Sequence, residues 1–429
     1  MLPGMTTTAT ERDRLTVLRA AWLYDGTSST LTADPTVVLD GATIVAVDAG
    51  TGAPDGVHRL DGATVVDLAG ATLLPGLIDT HVHLAFDESE DPVGNLARRD
   101  DAAALVAMAA AARRAARGGV TTVRDLGDRG YLSLALRAAA SSDSSLPTIV
   151  AAGPPITTPG GHCHYLGGAA TGVDGIRAAV RAHAEAGVDV IKIMASGGNL
   201  TPGSRPELAQ FGPDDLRAAV EEAHRHSLPI TAHAHGTQAV ADAVAAGVDG
   251  LEHVTFMTAH GVDPPPDELV ATIADRRIML GITRGVAPVP GATMPPAIAA
   301  RLPALIANAR RLYESGAPIT VGTDAGIGLL KPPDVLRWAV GQLTEIGATP
   351  AQALRAVTSH AAAVCRLGHR KGRLTPGYDA DILAVDGNPL TDPAALHRIR
   401  AVYVRGHRVT DVGTPSLPHP ATGSDPAIR

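Results

Sequence analysis

Between residues 75 and 368 the chain alternates short apolar runs with Ala- and Arg-rich stretches of helical length, and few folds accept that rhythm. The runs are LLPGLIDTHVHL, VTTVRDL, TIVAAG, VDVIKIMAS, PITAHAHG, GLEHVTF, IMLGIT and PITVGTDAG. Most are continuously apolar rather than alternating, as expected of strands buried on both faces of a parallel sheet. Between them, stretches such as DDLRAAVEEAHRH read as helices, with Pro213 at a first-turn position. Several end in glycine just before the next strand: RGGV, EAGVD, AAGVD and ESGAP. Eight strand–helix repeats predict an α/β protein built on a (β/α)8 TIM-like barrel. A doubly wound open sheet is the alternative, but no glycine-rich dinucleotide fingerprint follows the first strand.

The flanks read differently. Residues 13–74 hold short β-like runs (LTVLRAAWLY, TVVLD, GATIVAVDAG, ATVVDLAG) divided by turn signals. ADILAV and AVYVRGHRV, within 369–412, read the same way. The expectation is a small β-sandwich domain built from both chain ends, 13–74 and 369–412, around a barrel at 75–368. Residues 1–12 and 413–429 are polar and Pro/Gly-rich, and are expected to be flexible termini.

Composition narrows the partners. Hydrophobic residues make up 45% of the 429 and aromatics only 3%, so Ala, Val, Leu and Ile must build the core. A net charge of −8 without a basic block argues against nucleic acid. Two cysteines cannot form a disulfide framework, which points to a reducing compartment. The N-terminus lacks a signal-peptide pattern, and no run approaches the roughly 18 apolar residues of a membrane span. A cytoplasmic protein without membrane contact is expected.

The unusual polar residues fall at strand ends, where such a fold carries its function. His81 and His83 end the first run, and Lys192 lies in the fourth. His233 and His235 end the fifth, His253 the sixth and Asp324 the eighth. Residues i and i+2 of a strand share a face, so His81 and His83 can reach one cation. Singly, each residue has a plain explanation. A strand histidine can be a hydrogen-bonded core residue, and Asp324 can cap the helix that follows. Lys192 is harder to dismiss, because lysine is rarely buried without a partner and its neighbours are Ile, Val and Met. Together the residues favour a metal site.

These segments resemble the amidohydrolase superfamily: PGLIDTHVHL, DVIKIMASGG, ITAHAHG, GLEHVTF, TVGTDAG and the closing GRLTPGYDADILAVDGNP. The lysine segment followed by SGG is similar to the binuclear prolidase-like and imidazolonepropionase-like branch, which includes Xaa-Pro dipeptidase and ochratoxin-amidase relatives. The resemblance implies that His81, His83, Lys192, His233, His253 and Asp324 ligate two divalent metal ions. Zn²⁺ is the first choice, and Mn²⁺, Co²⁺ or Fe²⁺ also suit mixed imidazole and oxygen ligands. It further implies that Lys192 is carboxylated by CO₂, since a carbamate can bridge two cations and an ammonium cannot.

The activity so implied is hydrolysis of a peptide-like amide, such as a dipeptide or an N-acyl amino acid, by a hydroxide held between the ions. Asp324, His253 and His162 form the expected catalytic group, with Asp324 moving the proton from water to the leaving amine. His162, His164 and Tyr165, in the glycine-rich stretch TTPGGHCHYLGG, are candidate substrate contacts, set against a solvated loop. His235 and Arg284 are further candidates, Arg284 for a substrate carboxylate. FDESEDPVGNLARRD is either a lid or a solvated loop, and Cys365 is expected in the core. A thiol nucleophile at Cys163 is rejected, since the metal-held hydroxide already fills that role. The alternatives are a cyclic-amide or lactone hydrolase, then a deaminase, then a non-catalytic relative. A small-molecule substrate and a homo-oligomer complete the expectation.

Overall fold

The computed structural model describes residues 15–49 and 62–409. The expected flexible termini, 1–12 and 413–429, lie outside the described residues, as do parts of both flanking β segments.

The chain opens with β1 (Thr16–Leu23), β2 (Thr32–Ala33), β3 (Pro35–Asp40), β4 (Thr43–Ala49) and β5 (Thr64–Pro75). It closes with β14 (Ile382–Asp386), β15 (Ile399–Val404) and β16 (His407–Arg408). Hydrogen bonding joins both ends in one eight-stranded sheet, ordered β16-β15-β14-β5-β1-β3-β4 with β2 on β1. The two chain ends therefore meet along one continuous ladder. The joint is the antiparallel pairing of β5 with β14, from Pro75–Ile382 to Ala71–Asp386.

The alternation of side chains explains how this sheet serves two cores. Ile382, Ala384, Ala401 and Tyr403 pack with Leu18, Val37 and Leu73 in a core of the sheet's own. Their neighbours Leu383, Val385, Val402 and Val404 face the other way, into the main core.

The middle begins with β6 (Leu77–Val82), α1 (Pro92–Arg98), α2 (Asp101–Arg117), β7 (Val120–Asp125), α3 (Leu132–Ala140) and β8 (Thr148–Ala151). It continues through α4 (Gly172–Ala186), β9 (Ile191–Met194), α5 (Pro213–Arg225), β10 (Ile230–Ala234) and α6 (Thr237–Ala246). Next come β11 (Gly250–His253), α7 (Asp267–Asp275), β12 (Met279–Thr283), α8 (Pro296–Glu314) and β13 (Ile319–Gly322). Three helices, α9 (Leu336–Leu343), α10 (Pro350–Ala356) and α11 (Ser359–Val364), lead back to the flanking sheet. Pro213 opens α5 as read from the sequence. Gly187 and Gly247 close α4 and α6 with φ of +84° and +89°, a conformation glycine adopts without a steric penalty.

Strands β6–β8 form one parallel sheet and β9–β13 another. Hydrogen bonds cross both gaps between them. Ile156 N donates to Lys192 O at 2.8 Å, and Ile156 O accepts from Met194 N at 2.8 Å. At the other gap, Asp324 N donates to His81 O at 2.7 Å and His83 N to Ala325 O at 2.9 Å. The aromatic-poor composition shows in how the helices pack. Helix α2 buries Ala104, Ala112, Ala115 and Ala116 together with the longer Met108, so most of its buried face is made of small side chains.

A buried charge cluster pins the entry to β14. Lys371 is 2% exposed. Its Nζ lies 2.7 Å from Asp379 Oδ2 and also pairs with the buried Asp381. Asp381 in turn accepts the Arg405 amide at 2.8 Å. Removing one partner of a buried pair strands the other charge. Lys371→Met is therefore expected to lose about 3–5 kcal/mol, measured by urea unfolding, with much of it recovered in Lys371→Met/Asp381→Leu.

Candidate metal centre

His81 lies within β6 and His83 just past its end, and their Nε2 atoms are 3.3 Å apart. Asp324 Oδ1 approaches from the end of β13, 3.2 Å from His83 Nε2 and 3.6 Å from His81 Nε2. The far nitrogen of His83 sits 3.2 Å from Gly127 O, which fixes the ring's orientation. Asp324 holds φ at +62°, a strained conformation for a non-glycine residue, and this turns its carboxylate back over β6. Gly322, just before it, makes the approach possible. A Cβ there would come within 2.1 Å of His81 Cβ.

A second trio faces the first. His233 and His235 come from β10 and its end, and His253 from the end of β11. The His235 and His253 rings stack at 4.5 Å, and His233 meets His253 edge-on at 4.5 Å. His81 and His253 lie 5.1 Å apart between ring centres, which links the two groups. Nearby groups hold each ring of the trio. His235 Nδ1 lies 2.8 Å from Thr255 Oγ1, His253 Nδ1 2.7 Å from Thr283 Oγ1, and His233 Nε2 3.0 Å from Gly197 O. His235, expected only as a substrate contact, is thus grouped with two predicted ligands.

The electrostatics suit cation binding. Burial, reinforced by neighbouring imidazoles, holds His233 and His253 well below the ordinary histidine range. Burial also lowers His81 and His235 to about 4. These rings are neutral at neutral pH and keep a lone pair free, as a ligand must. His83 is the exception. Burial pulls it down, but the Asp324 carboxylate outweighs that and the net is upward. Burial would raise Asp324, yet the His81 and His83 rings and Lys331 hold it far below the ordinary carboxylate range.

Beneath the imidazoles lies a layer the sequence reading missed. Glu252, 1% exposed, sits 3.2 Å from His81 Nδ1 and receives Arg124 Nη2 at 2.7 Å and Thr231 Oγ1 at 2.8 Å. Lys192, also 1% exposed, has an Nζ without a hydrogen-bond partner among the described residues. Burial lowers it to about 8 against the raising influence of Glu252 and Asp324. Strict alternation would point Glu252 and His253 to opposite faces. His253 breaks it with φ at +74°, so both side chains meet His81. The available signal was a charged residue inside an apolar strand, the feature that singled out Lys192.

The loop candidates divide. His162 is buried, its ring 4.8 Å from that of His233 and its Nδ1 3.1 Å from Thr201 Oγ1. Gly198, in the SGG segment, leaves room for it, since a Cβ would sit 2.4 Å from His162 Nε2. His164 is exposed with Nδ1 2.9 Å from Gly161 O, and Tyr165 donates to Cys163 Sγ at 3.6 Å. Neither joins the cluster. Cys163 is buried, and burial pushes its thiol up to about 12. Arg284 lies 3.7 Å from Glu345 Oε2, and its buried Nη2 has no hydrogen-bond partner among the described residues. The segment after the HxH pair contains α1, with Asp87 held by Arg99 at 2.7 Å. Cys365 is in the core, as expected.

In each trio the donor atoms lie within 4.8 Å of one another, and the mix of neutral imidazole with carboxylate matches the donors a divalent ion takes. The buried Lys192 amine has no hydrogen-bond partner among the described residues. Fold and site together define a parallel α/β protein with a candidate divalent-metal centre at the carboxyl ends of its strands.

Comparison with known proteins agrees. Residues 72–409 match the amidohydrolase family, and the chain belongs to it. Ochratoxinase of Aspergillus niger is 28% identical over 366 residues, covering 77% of this chain and 73% of that one. Imidazolonepropionase of Deinococcus deserti is 31% identical over 209 residues, 47% of each chain. The crystal structure of a Xaa-Pro dipeptidase with methionine in its active site superposes with a TM-score of 0.78 at 27% identity. That alignment covers 92% of this chain and 99% of the dipeptidase. The likeness is to folds of the TIM-barrel type. No helix among the described residues is long and apolar enough to cross a membrane.

Gly322→Ala forces a methyl against His81. It is expected to lower stability by about 1–3 kcal/mol, seen in denaturant unfolding, and to displace the His81 ring in a crystal structure of the variant.

Proposed function

We propose that this protein is a binuclear metal-dependent hydrolase of a peptide-like amide, a dipeptide or an N-acyl amino acid. The observation that carries the reading is the pairing of two donor trios with a buried lysine whose amine has no hydrogen-bond partner among the described residues. His81, His83 and Asp324 would hold one ion and His233 and His253 the other, with Lys192 shared between them as a carbamate. His235 is a candidate for the second group. Likeness to an ochratoxinase and a Xaa-Pro dipeptidase over most of the chain supports amide hydrolysis.

The chemistry such ions supply when bound is polarisation of a carbonyl and a lowered water pKa near neutrality. The chain's own residues do the rest. Asp324 faces both His81 and His83, so it can accept the proton of the attacking water and return it to the departing nitrogen. Water adds to the carbonyl carbon, the C–N bond breaks, and acid and amine leave. His162, held by Thr201, hydrogen-bonds the carbonyl oxygen as charge builds on it. Arg284, whose Nη2 has no hydrogen-bond partner among the described residues, takes a substrate carboxylate.

The reading extends to eight strands, β6–β13, closed as a (β/α)8 barrel over residues 75–368. It includes a small β domain from 13–74 and 369–412, a cytoplasmic location, a homo-oligomer and small-molecule substrates. A second reading, cyclic-amide hydrolysis, draws on the likeness to imidazolonepropionase.

Metal-loaded protein is expected to release the amine from dipeptides or N-acyl amino acids in a mass-spectrometric screen that also contains lactones and cyclic amides. Turnover of only the cyclic substrates selects the second reading, and turnover of neither class refutes both. Chelation should abolish activity and divalent ions restore it. Asp324→Asn with its metal content verified should lose about 10²–10⁴-fold in kcat with little change in KM. Wild-type turnover in that variant would remove the proton role.

A further inference from the structure

The parallel strands carry a cavity at the end opposite the histidines. It encloses about 520 Å³ and opens where β10, β11 and β12 begin, at Pro229, Asp249 and Met279. Its floor is the underside of the ion pair already described, Arg124 with Glu252. Arg124 is 5% exposed. Its Nε donates to Thr80 O at 2.6 Å and its Nη2 to Glu252, while Nη1 has no hydrogen bond among the described residues. A buried guanidinium with a free edge on a cavity is a recognition group awaiting an acceptor.

The rim repeats the sign. Arg277 and Arg366 are exposed at the mouth. The Arg277 side chain makes no hydrogen bond among the described residues, and the Arg366 side chain gives only Nη1, to Ser227 O at 2.6 Å. The acids on the lining are already engaged. Asp249 holds His224 at 3.0 Å and the Ile230 amide at 2.8 Å, and Glu252 holds Arg124 and Thr231. Between floor and rim the wall is aliphatic, with Val190, Leu228, Met279 and Val364. The volume is that of an organic ligand rather than of a bare ion.

We propose that this cavity is a binding site for a small monocarboxylate with an apolar body. The carboxylate meets Arg124 Nη1 and the body lies against the aliphatic wall. The site is independent of the hydrolase reading, because none of its lining residues is a proposed metal ligand or substrate contact. Arg124→Met would strip Glu252 of its countercharge, so the tests leave that residue intact. Ala363, exposed on α11 at the lining, is replaced by Phe to fill the mouth, and Arg277→Gln/Arg366→Gln removes the rim charge.

Benzoate titrated calorimetrically into the metal-loaded full chain is expected to bind saturably. Affinity should fall at least about tenfold in Ala363→Phe and severalfold in the rim variant. Acetate and inorganic phosphate should bind at least about tenfold more weakly than benzoate, because neither buries an apolar body. Absence of saturable benzoate binding overturns the proposal. So does affinity unchanged in both variants, which would place the ligand elsewhere, or phosphate binding as tight as benzoate.

Discussion

The imidazole cluster depends on a carboxylate it does not contain. Glu252 is buried beneath His81, and burial alone would drive it to the neutral acid. The Arg124 guanidinium reverses that and holds Glu252 ionised, well below its ordinary range. Leaving either charge alone at this depth would cost several kcal/mol, so the pair is present together or not at all. Gly281 is part of the arrangement, since a Cβ there would sit 2.1 Å from Glu252 Oε2. Room for the floor of the site is thus set by a strand residue with no side chain.

With Glu252 fixed as an anion, the buried charges can be counted. Arg124 and a protonated Lys192 balance Glu252 and Asp324, and the interior carries no net charge from these four. Carboxylation of Lys192 replaces a cation by an anion and leaves a deficit of two positive charges. On the proposed function, the positive charge of the divalent ions more than offsets that deficit, so lysine modification and metal binding would favour each other. Glu252 and Asp324 both raise the Lys192 pKa against the effect of its burial, so the amine already feels the two anions.

How much of this was legible in the sequence follows from the regularity of the backbone. Where alternation holds, reading by residue spacing succeeds. His81 and His83 share a face and meet at 3.3 Å. Helix ends at Gly187 and Gly247, and the start of α5 at Pro213, were equally plain. Where the backbone turns left-handed, at His253 and Asp324, spacing cannot say which way a side chain points. The Glu252–His253 pair is the cost of that. Arg124 and Glu252 were visible as charges in apolar strands, but their pairing spans 128 positions and no local pattern announces it. Likewise, whether β5 and β14 continue one sheet or face each other across two depends on hydrogen-bond register, which composition does not encode.

Arg124 also places a constraint on how the chain can vary. Its side chain ties Thr80 O in β6 to Glu252 in β11, and so spans the space between the two parallel sheets. A residue that stabilises that span, holds the acid beside His81 and borders the lower cavity cannot be tuned for one of these tasks without disturbing the others. Substitutions on the carboxyl-end loops escape this coupling, because His162 reaches the histidine cluster from a segment that no buried ion pair among the described residues anchors to Arg124. On the proposed function, substrate choice is then free to drift through the loops while the floor stays fixed, as expected where a rigid set of strands carries variable loops.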